Sequence, residues 1–216
     1  MFARENSNTD PLRMLATLLL IAFLPRLNAQ NTSQKPSGKA RPSCQLTQAD
    51  YAVYRALVDA LAVPEYPENA LQRKQILIAD TTAAPRDVSS HFGTWGYHSK
   101  FKAAPRKDTV VDFERKAQSS CRLNSDFGDG KSHKVIAQAE MDKAFKGGGW
   151  GAFYKRYPQS GGYWIFSRPG CNAEGNEAVL AVSHWCGELC GTGYLYLLTK
   201  QNGQWTVQNR LMLWIS

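Results

Sequence analysis

The sequence predicts an α+β domain: a C-terminal four-stranded antiparallel meander with N-terminal helices packed on one face. Three observations predict it. Asn202-Gly203 lies between the apolar runs Tyr194–Leu198 and Trp205–Val207, and Asn-Gly tolerates the positive φ of a two-residue type I′ hairpin. A second hairpin, Glu177–Trp185 returning through Gly187-Glu188-Leu189, sets Val182 opposite Tyr194 and Leu180 opposite Tyr196. Both turns then place their apolar residues on one face, because side chains alternate along a strand. Finally, the N-terminal half carries apolar residues at helical rather than alternating spacing.

Thr47 to Ala62 reads as a helix. Thr47 with Asp50 makes a capping-box-like start, and Tyr51, Tyr54, Leu57, Val58 and Leu61 share a face. Pro64 and Pro67 end it. The short apolar run Ile76–Ala79 reads as a buried strand closed by Asp80-Thr81-Thr82. Asp108 to Leu123 is the second helix, with Asp108 as its N-cap and Val110, Phe113, Ala117 and Cys121 on one side. The Asp- and Gly-rich stretch 124–132 lacks the spacing and closing Glu of a calcium loop and reads as turns. Val135-Ile136 is a short strand, Gln138–Lys146 a short helix broken by Gly147-Gly148-Gly149, and Trp150, Phe153, Tyr154 and Tyr157 an aromatic core stripe ended by Pro158.

In the hairpin register, Lys200 faces Trp205, Leu198 faces Val207, Tyr196 faces Asn209 and Tyr194 faces Leu211. The opposite face of the sheet then carries Val179, Ala181, Trp185, Leu195 and Leu197, which is too apolar for open water. Either the stretch from Ala83 to Lys107 covers it, with Phe92, Trp95 and Phe101, or a partner does. The first strand, Trp164 to Arg168, has no register that the sequence settles.

The N-terminus reads as an export signal. Arg4 and Arg13 precede the apolar run Met14–Leu24, which is too short to span a bilayer, and Leu27-Asn28-Ala29 offers a cleavage site. Cleavage near Ala29 places the protein in the periplasm or outside the cell. Residues 30–42 are polar and read as a disordered leader, which leaves a single α+β domain over 43–216. No stable transmembrane segment is expected after cleavage. The chain holds 26 basic and 18 acidic residues, a net charge of +8. Without the first 29 residues, which hold Arg4, Arg13 and Arg26 against Glu5 and Asp10, the count is 23 against 16, or +7. Such charge favours solubility and contact with anionic envelope polymers. Nucleic acid is not the expected partner, and no cofactor is expected.

Candidate ligand-binding residues sit in the aperiodic stretch from Ala83 to Lys107: His91, Trp95, Tyr97, His98, Lys100 and Lys102. Loops this long in compact domains are uncommon and often functional. Their aromatic and basic mixture suits an anionic or glycan-like ligand. The competing reading is a satellite core tucked under the loop. No catalytic constellation is evident, so two functions stand: an envelope binding or interaction module of unknown partner, anionic polymer or protein, or a hydrolase or other enzyme using His91, His98 or His184.

Five cysteines follow the signal segment: Cys44, Cys121, Cys171, Cys186 and Cys190. Export permits disulfides. Cys186 and Cys190 flank a short loop on facing strand ends, about 4.5–5.5 Å apart, within disulfide reach. Cys171 lies about eight residues, roughly 27 Å, along the strand from them. Cys44 and Cys121 both adjoin helices and are paired with each other, leaving Cys171 free and buried. A zinc site from His184, Cys186 and Cys190 lacks a fourth ligand and the usual knuckle spacing. A redox Cys-x-x-Cys is absent.

Ser167-Arg168-Pro169-Gly170-Cys171-Asn172, Cys186-Gly187-Glu188-Leu189-Cys190-Gly191-Thr192-Gly193, Leu198-Thr199-Lys200 and Gly203-Gln204-Trp205 resemble an uncharacterised family of exported bacterial α+β proteins. Its members read S-R-V-G-F-N, C-G-x-L-C-G-x-G and L-x-K-x-x-G-x-W. Tyr51 with Tyr54, the Ile76–Thr82 strand and Phe153-Tyr154 through Pro158 are also similar. Pro169 and Cys171 depart from the family residues. The resemblance covers most of the chain after the signal and implies compartment and fold class.

Overall fold

The computed structural model describes residues 44–62, 75–83, 104–124, 127 and 133–216. Ala40–Ser216 form one compact unit. Residues 1–43, which hold the expected signal and leader, and the 84–103 stretch lie outside the described residues.

The first helix, α1 (Gln48–Ala62), starts on a reciprocal cap. The Thr47 N–H donates to the Asp50 carboxylate at 2.8 Å, and the Asp50 N–H donates to the Thr47 hydroxyl at 3.2 Å. The other helices among the described residues are α2 (Lys107–Lys116), α3 (Gln138–Phe145) and α4 (Gly149–Arg156). Gly147 and Gly149, both at positive φ, break α3 from α4. The strands are β1 (Gln75–Ala79), β2 (His133–Ile136), β3 (Ser160–Phe166), β4 (Gly170–Cys171), β5 (Glu177–Gly187), β6 (Cys190–Gln201) and β7 (Gln204–Ile215).

The fold is α+β, but the sheet is larger than a four-stranded meander. Among the described residues it has seven strands: six run in the order β2-β1-β3-β5-β6-β7, and β4 pairs with β5 off that path. β1 is parallel to β2 and β3, and the C-terminal strands are antiparallel. The helices also cover both faces, not one. Ile76 and Ile78 join Tyr54, Leu57 and Val58 of α1, together with Phe166, Leu180, Val182, Tyr196 and Leu198. Leu77 points the other way, into Met141, Ala144 and Phe153 of α3 and α4. An unbroken run such as Ile76-Leu77-Ile78 is the pattern of a strand buried on both sides, common where parallel pairing occurs.

The apolar second face, with Val179, Ala181, Leu195 and Leu197, is covered by Phe113 and Ala117 at the end of α2. A helix thus fills the place that the sequence assigned to the 83–107 stretch or to a partner. Leu211 and Leu213 join the same cluster. They reach it because β7 is bulged. Lys200↔Trp205 and Leu198↔Val207 hold as the turn dictates, but the register then slips, so Leu197 meets Asn209, Tyr196 meets Arg210 and Tyr194 meets Met212. One extra residue flips the side chains that follow it, here as far as Met212, after which a second bulge shifts the register again and pairs Trp214 with Gly193 and Ile215 with Thr192. The β5–β6 register suffers no slip between Glu177 and Trp185, and Val182↔Tyr194 and Leu180↔Tyr196 are paired.

The second helix is shorter than Asp108–Leu123. Residues 121–123 leave it to run alongside 80–82: Thr82 N–H donates to Cys121 O at 2.8 Å, and Leu123 N–H donates to Asp80 O at 2.7 Å. Asp108 does not cap it either. The N-cap is Arg106, in extended conformation, with no side-chain cap bond of its own. Instead the buried Glu177 carboxylate accepts from the Arg106 N–H and the Thr109 hydroxyl, both at 2.6 Å. A carboxylate there also complements the helix dipole.

The helix α2 lies so close to β4 that a Cβ on Gly170 would enter the backbone of Phe113. Overpacking against backbone leaves no side chain to move aside. Gly170→Ala should therefore destabilise the domain by about 3 kcal/mol or more, read as a lower urea midpoint. An unchanged midpoint would show that α2 does not seat on that residue.

Candidate functional site

His91, Trp95, Tyr97, His98, Lys100 and Lys102 fall outside the described residues. Of the sequence-selected candidates, His184 and the cysteines are described. Cys44 is bonded to Cys121 and Cys186 to Cys190, each with Cα atoms 5.0 Å apart. Both sulfurs of the zinc alternative are thereby joined to each other. Cys171 is a free thiol, half-buried. Burial pushes it up to about 11, with Lys116 opposing and Asp50 and Asp112 adding. It stays protonated at neutral pH and is a poor nucleophile.

The ring of His184 is fixed by its neighbours. It stacks on Trp164 with centroids 4.1 Å apart and planes 15° off parallel, and Nε2 lies 2.9 Å from the Gly161 carbonyl oxygen. These contacts lie on the α1 face, since His184 pairs across with Trp164 and Thr192.

Around the Cys186–Cys190 corner the structure assembles a group that the sequence reading did not single out. Gly191 and Gly193 form a bare floor on the α2–α4 face, and a Cβ at Gly193 would enter the Trp214 indole. Trp214 lies on that floor beside Trp185, centroids 5.0 Å apart and planes at 43°. Tyr163 is paired opposite Trp185 and stacks toward Trp150 at 5.9 Å. The Tyr154 hydroxyl, on α4, donates to the Cys186 carbonyl at 2.8 Å, and burial raises its pKa. Trp150 and Tyr154 are therefore not only core, as their helical spacing indicated; they flank a half-exposed aromatic corner. The adjoining β5–β6 turn carries Leu189, 89% exposed, while Ile215, 71% exposed, pairs with Thr192 and so lies on the α1 face of the same sheet end. The signal that could have revealed it is Gly191-x-Gly193 facing Trp214 across the last hairpin, since paired glycines opposite an aromatic leave room for its ring.

The motif residues Ser167 to Asn172 serve the scaffold. Ser167 donates its N–H to the Ala181 carbonyl and accepts the Ala181 N–H at its hydroxyl. The Asn172 side-chain oxygen accepts from Asn176 and Glu177 N–H at 3.0 and 2.9 Å, closing the turn. Asp112 accepts the Cys171 N–H at 2.8 Å and meets Lys116 at 2.9 Å. Burial raises its carboxyl, but the Cys171 N–H, Lys116 and Arg115 outweigh burial and hold it below the usual carboxylate range. Because its folded pKa is depressed, the stability it supplies is present above about pH 4, the unfolded value. It is lost as the pH falls through the lower folded value. Asp112→Asn should accordingly show a smaller drop in urea midpoint between pH 7 and pH 3 than the wild type.

The described residues thus define a disulfide-clamped α+β domain with an aromatic corner at the end of its sheet. No helix among them is long and apolar enough to cross a membrane. Comparison with known protein families, with curated proteins and with solved structures finds no match.

The two disulfides differ in what they hold. Replacing both Cys186 and Cys190 by Ser should cost about 2 kcal/mol at most, whereas the Cys44/Cys121 pair should cost about 4.5 kcal/mol, from loop entropy alone. Paired urea curves decide this, and equal losses would show that the short bridge does more than close its loop.

Proposed function

We propose that this chain is an exported envelope or secreted binding module that takes an anionic glycan polymer on the aromatic corner. The observation that carries the reading is the partly exposed Trp185–Trp214 pair laid on a glycine floor, at the end of the sheet where the β5–β6 turn carries the exposed Leu189. Flat indole faces suit the C–H faces of sugar rings, and apolar patches rimmed by polar surface mark contact sites. The net charge, +7 without the first 29 residues, draws an anionic polymer in preference to a neutral one. Support for export comes from the signal-like N-terminus, the two disulfides and the resemblance to exported proteins. The basic and aromatic residues His91, Trp95, Tyr97, His98, Lys100 and Lys102 extend the same ligand chemistry along the chain.

Retention of the purified protein on peptidoglycan sacculi and on a uronic-acid polysaccharide tests the reading. The wild type should be retained on one of them and released by salt. Trp185→Ala with Trp214→Ala should weaken retention about tenfold or more, equivalent to about 1.4 kcal/mol, with circular dichroism unchanged. A wild type that passes through both, or a double variant retained as well as the wild type, would overturn it.

A further inference from the structure

We propose that Cys186–Cys190 is a thiol–disulfide exchange site, which an external dithiol opens in the folded protein and thereby loosens the Trp185–Trp214 corner. Access is the first argument. An attacking thiolate must reach a sulfur directly, and Cys190 is exposed at the tip of the β5–β6 hairpin next to the bare Leu189. Cys121 of the other bridge is only 2% exposed.

The second argument is what remains after opening. The bond closes a loop with a sequence separation of 4, and β5 and β6 stay paired from Glu177↔Thr199 to Trp185↔Gly191 without it. The Cys44–Cys121 bond spans a separation of 77 and ties the start of α1 to the segment beside β1. Opening the first bond is a local event; opening the second removes a long-range tether.

The chemistry balances with a dithiol as reductant. One thiolate attacks Cys190 Sγ, the S–S bond breaks, and Cys186 departs as a thiolate that takes a proton from water. Its Sγ lies 3.0 Å from the Cys190 carbonyl oxygen, which is placed to accept the new S–H. The second thiol of the reagent, as thiolate, attacks the mixed disulfide and releases Cys190. The reagent leaves as a disulfide, having given two electrons to the two cysteines. Cys171 does not compete, since it sits opposite Ala178, toward the far end of β5. The corner feels the change through Trp185, adjacent to Cys186, and through the Tyr154 bond to the Cys186 carbonyl.

Dithiothreitol at neutral pH without denaturant, followed by timed alkylation and peptide mapping, tests the proposal independently of any glycan. Label should appear at Cys186 and Cys190 at least tenfold faster than at Cys44 and Cys121. Tryptophan fluorescence should change at the same rate, and Trp214→Phe should shrink that change. Equal rates at the two bridges, faster opening of Cys44–Cys121, or no label at Cys186 and Cys190 until denaturant is added would overturn the site. An unchanged fluorescence spectrum would overturn its coupling to the corner.

Discussion

The helix α2 rests on the break in the sheet between β3 and β4, and much of the remaining architecture depends on that seat. β5 is paired to β3 as far as Phe166, and Ser167-Arg168-Pro169 then interrupts the ladder before Gly170 and Cys171 resume it. A break leaves backbone donors that must find partners when covered. Ser167 keeps its N–H on the Ala181 carbonyl and Pro169 has none to place, while just past the break Asp108 and Asp112, one helical turn apart, accept the N–H groups of Ala173 and Cys171. Glu177 returns the favour to the helix by taking the Arg106 N–H and the Thr109 hydroxyl. Gly170 makes the close approach possible, because any side chain there would occupy the Phe113 backbone.

Once seated, α2 buries Phe113 and Ala117 against Val179, Ala181, Leu195 and Leu197, so the meander gains a cover on the face away from α1. The end of α2 also meets α1. Lys116 lies 2.9 Å from Asp112 and 3.8 Å from the buried Asp50, and the Cys44–Cys121 bridge joins the neighbouring chain ends. Tyr54 of α1 reaches the same break from the other side and donates its hydroxyl to the Ser167 carbonyl at 3.0 Å. Helices on opposite faces are thus connected beside this break in the sheet.

The far end of the meander is built on different terms. There a disulfide closes the β5–β6 hairpin, while the Asn202-Gly203 turn, both residues at positive φ, closes the last hairpin at the opposite end, beside Asn176. No helix of the described residues lays a side chain between Trp185 and Trp214, which rest on each other and on glycine. The large exposed apolar side chains at this end, Leu189 and Ile215, would be unremarkable singly. Two partly exposed indoles packed together on one face of that end are less ordinary, and they are the reason for reading it as a contact site.

The sequence by itself determined whatever is settled within a few residues along the chain. The Thr47–Asp50 cap, the start and length of α1, the Asn202-Gly203 turn and the β5–β6 register from Glu177 to Trp185 follow from local sterics and hydrogen bonding and stand in the structure, although the register shifts at the corner and Gly187, not Cys186, meets Cys190. What is decided between distant segments was not legible. The bulges that slip β7 arise from packing on β6, so Leu211 and Leu213 face a core that the turn alone would have denied them. The early end of α2 arises because residues 121–123 find backbone partners at 80–82. The parallel pairing of β1, the second layer of helices and the meeting of Trp185 with Trp214 likewise depend on contacts far apart in sequence, where periodicity carries no information about which face meets which. Tertiary packing chose among the faces that local chemistry had made available.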